Sequence, residues 1–127
     1  MTKDQAIRHV RHAKSAHIRW RSFVLAMIAG LPVEERQAPV HHKACTFGGW
    51  FYSEGFKAFG HWPIFQDVEY SHELLHAVYS LVFQACADKD RERAAQISQQ
   101  LVGISESLLA ALTLLEEEIF ASQETDF

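Results

Sequence analysis

Residues 63–86 read PIFQDVEYSHELLHAVYSLVFQAC. Phe65, Val68, His72, Leu75, Tyr79, Val82 and Cys86 recur in alternating steps of three and four, the spacing of one helix face. Pro63 suits the first turn, where its missing N–H has no intrahelical partner to lose. Asp88-Lys89-Asp90 breaks the pattern on the other side. Two positions of this helix are unusual. His72 and His76 are four residues apart, so their side chains lie one above the other, with Cβ atoms about 5–6 Å apart. Both sit on or beside the apolar stripe and therefore point inward.

Upstream, Ile7, Val10, Ala13, His17, Trp20, Val24, Met27 and Leu31 form a stripe of the same period on a helix from about Lys3 to Ala29. Gly30, Leu31 and Pro32 stop it, a glycine cap followed by a proline that cannot continue the helix. Residues 32–40 form a linker with Pro32 and Pro39 at its ends. His41 to about Phe59, with Cys45, Gly48, Gly49, Trp50, Phe51 and Tyr52, reads as a short helix. Downstream, Asp90 suits an N-cap for a last helix from about Arg91 to Ala121. Its stripe is Ala94, Ile97, Leu101, Ile104, Leu108, Leu112, Leu115 and Ile119. Glu116-Glu117-Glu118 reads as a solvated turn. Three long helices and one short Cys-bearing helix predict an all-α antiparallel four-helix bundle, a single domain over residues 1–127.

Composition narrows the function. With 48 % of residues apolar, disorder is not expected. Residues 1–43 carry eight Lys/Arg against three Asp/Glu, and residues 44–127 carry four against thirteen. A general nucleic-acid coat is therefore not expected. The basic segment is expected to face acidic helices of its own chain or of a partner subunit. Two cysteines, Cys45 and Cys86, are too few for a disulfide framework. No signal-peptide run and no apolar stretch of the roughly 20 residues a membrane helix needs is visible. A reducing cytoplasmic setting follows, in which a cysteine beside histidines is more often a metal ligand than half of a bridge.

A single inward histidine is ordinarily a core residue whose ring nitrogens have found partners. Here His17, His72 and His76 all aim inward from stripes where leucines are usual. Cys45 lies in a glycine-rich segment that can reach them. Three neutral imidazoles and one thiolate form a closed tetrahedral set suited to zinc. Gly48, one turn after Cys45, would let that segment approach its neighbours. Trp20, one turn after His17, would wall the site, and Trp50 would add apolar cover. Cys86 follows His76 by ten residues, about 15 Å along one axis, and cannot share the ion. His9, His12, His41, His42 and His61 read as surface or loop residues. His42, three residues before Cys45, is an alternative local ligand.

The segments His17-Ile-Arg-Trp20, Cys45-Thr-Phe-Gly-Gly-Trp50-Phe-Tyr52 and His72-Glu-Leu-Leu-His76 resemble the chemoreceptor zinc-binding domain, CZB. That family's pattern is His-x-x-Trp, Cys-x-x-Gly-x-Trp and a paired His, in this order and with similar gaps. The resemblance covers almost the whole chain, without an output domain. It implies a helical bundle that pairs as a homodimer. It also implies zinc held by His17, Cys45, His72 and His76. Members regulate a chemotaxis receptor or a diguanylate cyclase, some in response to zinc, some to hypochlorous acid through the ligand cysteine.

Three rival readings stand beside this one. Glu69-x-x-His72 and Glu73-x-x-His76 resemble half of a di-metal carboxylate site, but no second Glu-x-x-His exists on another helix. A hemerythrin-like site lacks its further histidine–carboxylate pairs. A zinc hydrolase needs a coordination position for water, which four protein ligands do not leave, so the chain is not expected to be an enzyme. A metal-free interaction bundle is the last alternative.

Overall fold

Thr2 opens the first helix. In the computed structural model, which describes residues 1–127, its hydroxyl accepts from the Gln5 N–H at 3.1 Å. The Gln5 side chain in turn accepts from the Thr2 N–H at 2.8 Å. This reciprocal box satisfies two orphan donors and starts α1 (Lys3–Ile28). Gly30, at φ 87, ends it. Its N–H donates to the Met27 carbonyl and that of Leu31 to Ala26, both at 3.0 Å. This is the Schellman arrangement that needs a left-handed residue. A Cβ on Gly30 would also lie 2.4 Å from the Arg91 guanidinium.

The chain returns along the bundle as a strap containing one 3₁₀ turn, Glu35–Gln37. It then enters α2 (Thr46–Trp50), a π turn (Phe51–Gly55) and α3 (Phe56–Phe59). The short helix thus begins at Thr46, not at His41 as the sequence predicts. Cys45 is extended at φ -79, ψ 156, and caps the helix by accepting the Gly48 N–H on its sulfur at 3.3 Å. The five residues 41–45, expected to be helical, instead form turns and the extended cap, which lay backbone beside the sulfur.

Pro63 takes the first turn of α4 (Pro63–Ala87). Lys89 at φ 59 closes that helix as Gly30 closes α1. Its N–H donates to Cys86 and that of Asp90 to Ala85. Asp90 then caps α5 (Arg91–Ala121) by accepting from the Arg93 N–H at 3.1 Å.

Contacts along the helices set their directions. Lys3 donates to the Phe120 and Ser122 carbonyls at the far end of α5, Arg11 pairs with Glu116, and His17 meets Ser105. α1 and α5 are therefore antiparallel. α4 and α5 are antiparallel across their tight turn. The returning segment meets α4 in reverse order. Ala38 lies against Tyr79, Val40 against His76, Cys45 against His72 and Phe51 against Phe65. The result is an up-down-up-down bundle whose second member is half strap, half helix. One cluster of 23 buried apolar residues draws on all of these elements, so none is peripheral to the core.

Two expectations need correction. Glu116 is not a solvated residue, because it pairs with Arg11 at 3.1 Å and Lys14 at 3.9 Å. Leu31, placed on the α1 stripe, is 60 % exposed because the Schellman turn carries it off the face. α5 is long and apolar enough by length and composition to cross a membrane. Within the bundle its inner face, from Ala94 to Ile119, is part of the core.

Candidate metal centre

Cys45 is placed by three contacts. Its sulfur accepts from the Gly48 N–H, donates to the His42 carbonyl at 3.2 Å, and lies 3.2 Å from His72 Nε2. Gly48 makes this possible. A Cβ there would stand 2.3 Å from the His42 carbonyl oxygen, so only glycine lets α2 pass over the turn. Burial pushes the Cys45 thiol up, and the backbone N–H of Gly48 opposes that shift.

His72 and His76 come from consecutive turns of α4, with ring centroids 4.7 Å apart. Both are buried. Burial, with neighbouring histidines adding to it, holds the His72 imidazole well below its usual pKa; burial also lowers that of His76, against the opposing pull of the Val40 carbonyl. Both rings are therefore neutral near pH 7, the form that offers a lone pair. His76 Nδ1 donates to the Val40 carbonyl at 2.9 Å. That bond fixes the tautomer and leaves Nε2 as the free lone pair, the usual support of a metal-ligating histidine. His72 Nδ1 is buried with no partner. The ring is held from its Nε2 side, where the sulfur stands.

The ligand atoms of Cys45, His72 and His76 all lie within 4.8 Å of one another. Zinc bonds of about 2.0–2.1 Å to nitrogen and 2.3 Å to sulfur place tetrahedral ligand atoms roughly 3.3–3.6 Å apart. The 3.2 Å Cys45–His72 separation is close to that spacing. A half-buried thiol with two buried, neutral imidazoles is also a donor set of the type zinc takes. The residues fit the ion.

His17 is buried beside them, on the wall of the same small cavity. Burial, then the Arg21 charge and His76, lower its pKa to about 4. It stands outside the converged trio, and its Nε2 lies 2.7 Å from Ser105 Oγ. Trp20 walls the site as its spacing predicts, stacked on His17 at 5.5 Å and tilted against His76 at 5.6 Å. Trp50 does not cover the cavity. It stacks on His9 at 5.2 Å and packs against Phe47. His42 offers Cys45 its carbonyl, while its ring sits 3.8 Å from Glu73. Cys86 is half-buried near the end of α4, away from the trio.

The sequence reading missed two contributors. Ser105 is 1 % exposed on the inner face of α5. Its only sequence signal is a polar residue one place beyond Ile104 in the stripe. The Val40 carbonyl has none, since backbone groups leave no mark on side-chain patterns. Phe47, edge-on to His72 at 4.8 Å, adds apolar cover that the spacing assigned to Trp50.

The chemoreceptor zinc-binding domain (CZB) family model matches residues 17–82, more than half of the chain and all three motif segments. This chain is a member of the CZB family. The matched span runs from His17 in α1 to Val82 in α4 and holds the converged trio. Comparison with curated proteins and with solved structures gave no match. CZB domains bind zinc, and Cys45, His72 and His76 form a group able to hold it.

Proposed function

We propose that this CZB domain is a cytoplasmic regulatory module that holds one zinc ion through His17, Cys45, His72 and His76. The observation that carries the reading is the buried convergence of a thiol and two neutral imidazoles within 4.8 Å. Bound zinc would supply the charge that keeps the Cys45 thiol deprotonated despite its burial. The chain's own residues do the rest. The Val40 carbonyl orients His76, Gly48 lets Cys45 reach α4, and Trp20 and Phe47 exclude water.

A thiolate so held is still nucleophilic. Hypochlorous acid takes two electrons from the Cys45 sulfur, leaving a sulfenic acid and releasing chloride. A sulfenic acid is a poorer ligand, so α2 loses its tether to α4 while the histidines stay in place. Loss of zinc is a larger form of the same event. Either change alters how the Cys-bearing segment packs on the long helices. A homodimer interface can pass that change to a chemoreceptor or a diguanylate cyclase. Elemental analysis of protein purified without a histidine tag tests this first. One zinc per chain is expected, and a metal-free protein would leave only the interaction-bundle reading.

A second reading comes from the His17–Ser105 contact. If His17 stays on Ser105, three ligands leave a position for water, as in catalytic zinc sites. A His17→Ala variant with unchanged zinc affinity would favour it.

A further inference from the structure

Ser105 is the one buried polar residue on the inner face of α5. Its hydroxyl meets His17 Nε2 at 2.7 Å. It lies outside the span matched by the family, and the site described so far gives it no task. Three observations converge on what it does. His17 is not within the converged trio, so it must shift to join it. Its Nε2 already has a partner. An sp² ring nitrogen has one lone pair, which either accepts the serine proton or binds a cation.

Building on the zinc reading above, we propose that Ser105 and zinc compete for His17 Nε2. Capture of the ion then breaks the α1–α5 hydrogen bond, and Ser105 both sets the affinity of the site and reports its occupancy to α5.

The exchange leaves no buried group stranded. A serine within a helix can turn its hydroxyl to the carbonyl four residues back, here that of Leu101. There is also room for the hydroxyl to turn. Ser105 also borders a groove lined by Trp20, Val24, Leu101 and Val102. The His17 ring lies nearly flat on Trp20, with an interplanar angle of 24°. The indole face gives it a surface to slide along without opening the core. Ser105 is thus a positioning residue. It acts on the metal only through His17, and it is the polar link between the centre and the helix that packs on both α1 and α4.

The opposite arrangement has the His17 Nε2–H donating to Ser105 while Nδ1 binds the metal. That arrangement makes Ser105 a support, and its removal weakens zinc instead of strengthening it. The test is therefore a sign. Zinc affinity is measured by chelator competition on the wild-type protein, Ser105→Ala and His17→Ala. The His17 ring is followed by long-range ¹H–¹⁵N correlation spectra, zinc-free and zinc-loaded. Ser105→Ala is expected to bind zinc about fivefold tighter, the equivalent of one net hydrogen bond. Its zinc-free His17 spectrum should differ from wild type, and its zinc-loaded spectrum should match it. Equal or weaker binding by Ser105→Ala, or an Nδ1-bound His17 in the loaded wild type, overturns the exchange and leaves the zinc reading standing. Unchanged affinity in His17→Ala removes the four-ligand reading itself, and the exchange with it.

Discussion

Cys45 does two jobs with one side chain. Its sulfur caps α2 through the Gly48 N–H and faces His72 across the strap. Replacing it by alanine removes a proposed ligand and a weak cap but no core volume, since the residue is only half-buried. Cys45→Ala is predicted to keep the helical circular dichroism, to abolish the oxidant response, and to weaken zinc more than about a hundredfold. Loss of a metal's own ligand should exceed the about 10–100-fold effect of losing a supporting partner. Competition with a chromophoric chelator measures it, and unchanged affinity would remove the cysteine from the ligand set. Gly48 makes a sharper pair with its neighbour. A Cβ at Gly48 would meet the His42 carbonyl at 2.3 Å, whereas at Gly49 it would meet nothing within 4 Å. Gly48→Ala is therefore predicted to weaken zinc markedly, and Gly49→Ala to leave it unchanged, in the same assay. At this scale the sequence was partly legible. His72 and His76 stand out because polar residues interrupt an apolar period. Ser105 and the Val40 carbonyl do not, because a small residue near a stripe and a backbone oxygen carry no periodic signal.

Elements were easier to read than their ends. α1, α4 and α5 follow from stripes long enough to average over exceptions. The strap and α2 do not, because their positions come from contacts distant in sequence. Tyr79 OH donates to the Ala38 carbonyl at 2.9 Å, and His76 meets the Val40 carbonyl two residues on. Tyr79→Phe removes the first of these and leaves a buried carbonyl without that donor. A loss of about 1–3 kcal/mol is expected in denaturant unfolding, together with weaker zinc binding as the strap loosens. Unaltered stability and affinity would show that the strap holds without it. Lys89 offers the reverse case. It closes α4 at φ 59, a conformation that disfavours any side chain. Lys89→Gly is predicted to stabilise the bundle by about 0.5–1 kcal/mol without touching the metal centre, which a thermal melt of both forms would register.

The bundle as a whole does not depend on the ion for its core. The 23 clustered apolar residues span every helix, and the proposed ligands are three buried histidines and one cysteine at its middle. Burying each large side chain contributes about 1.5–3 kcal/mol, enough in sum to hold α1, α4 and α5 together. Chelation is therefore predicted to leave most of the far-ultraviolet helical signal while lowering the melting temperature. Collapse of that signal would make the metal a folding requirement. The antiparallel architecture was legible because three long stripes and short connections permit few arrangements. The separation of His17 from the converged trio was not, since it depends on how α1 docks against α5, and its convergence with them on zinc is the proposal. X-ray absorption at the zinc edge bears most directly on that convergence. The account predicts three nitrogen scatterers at about 2.0–2.1 Å and one sulfur at about 2.3 Å. A shell without sulfur, or with oxygen in place of the third nitrogen, would contradict it.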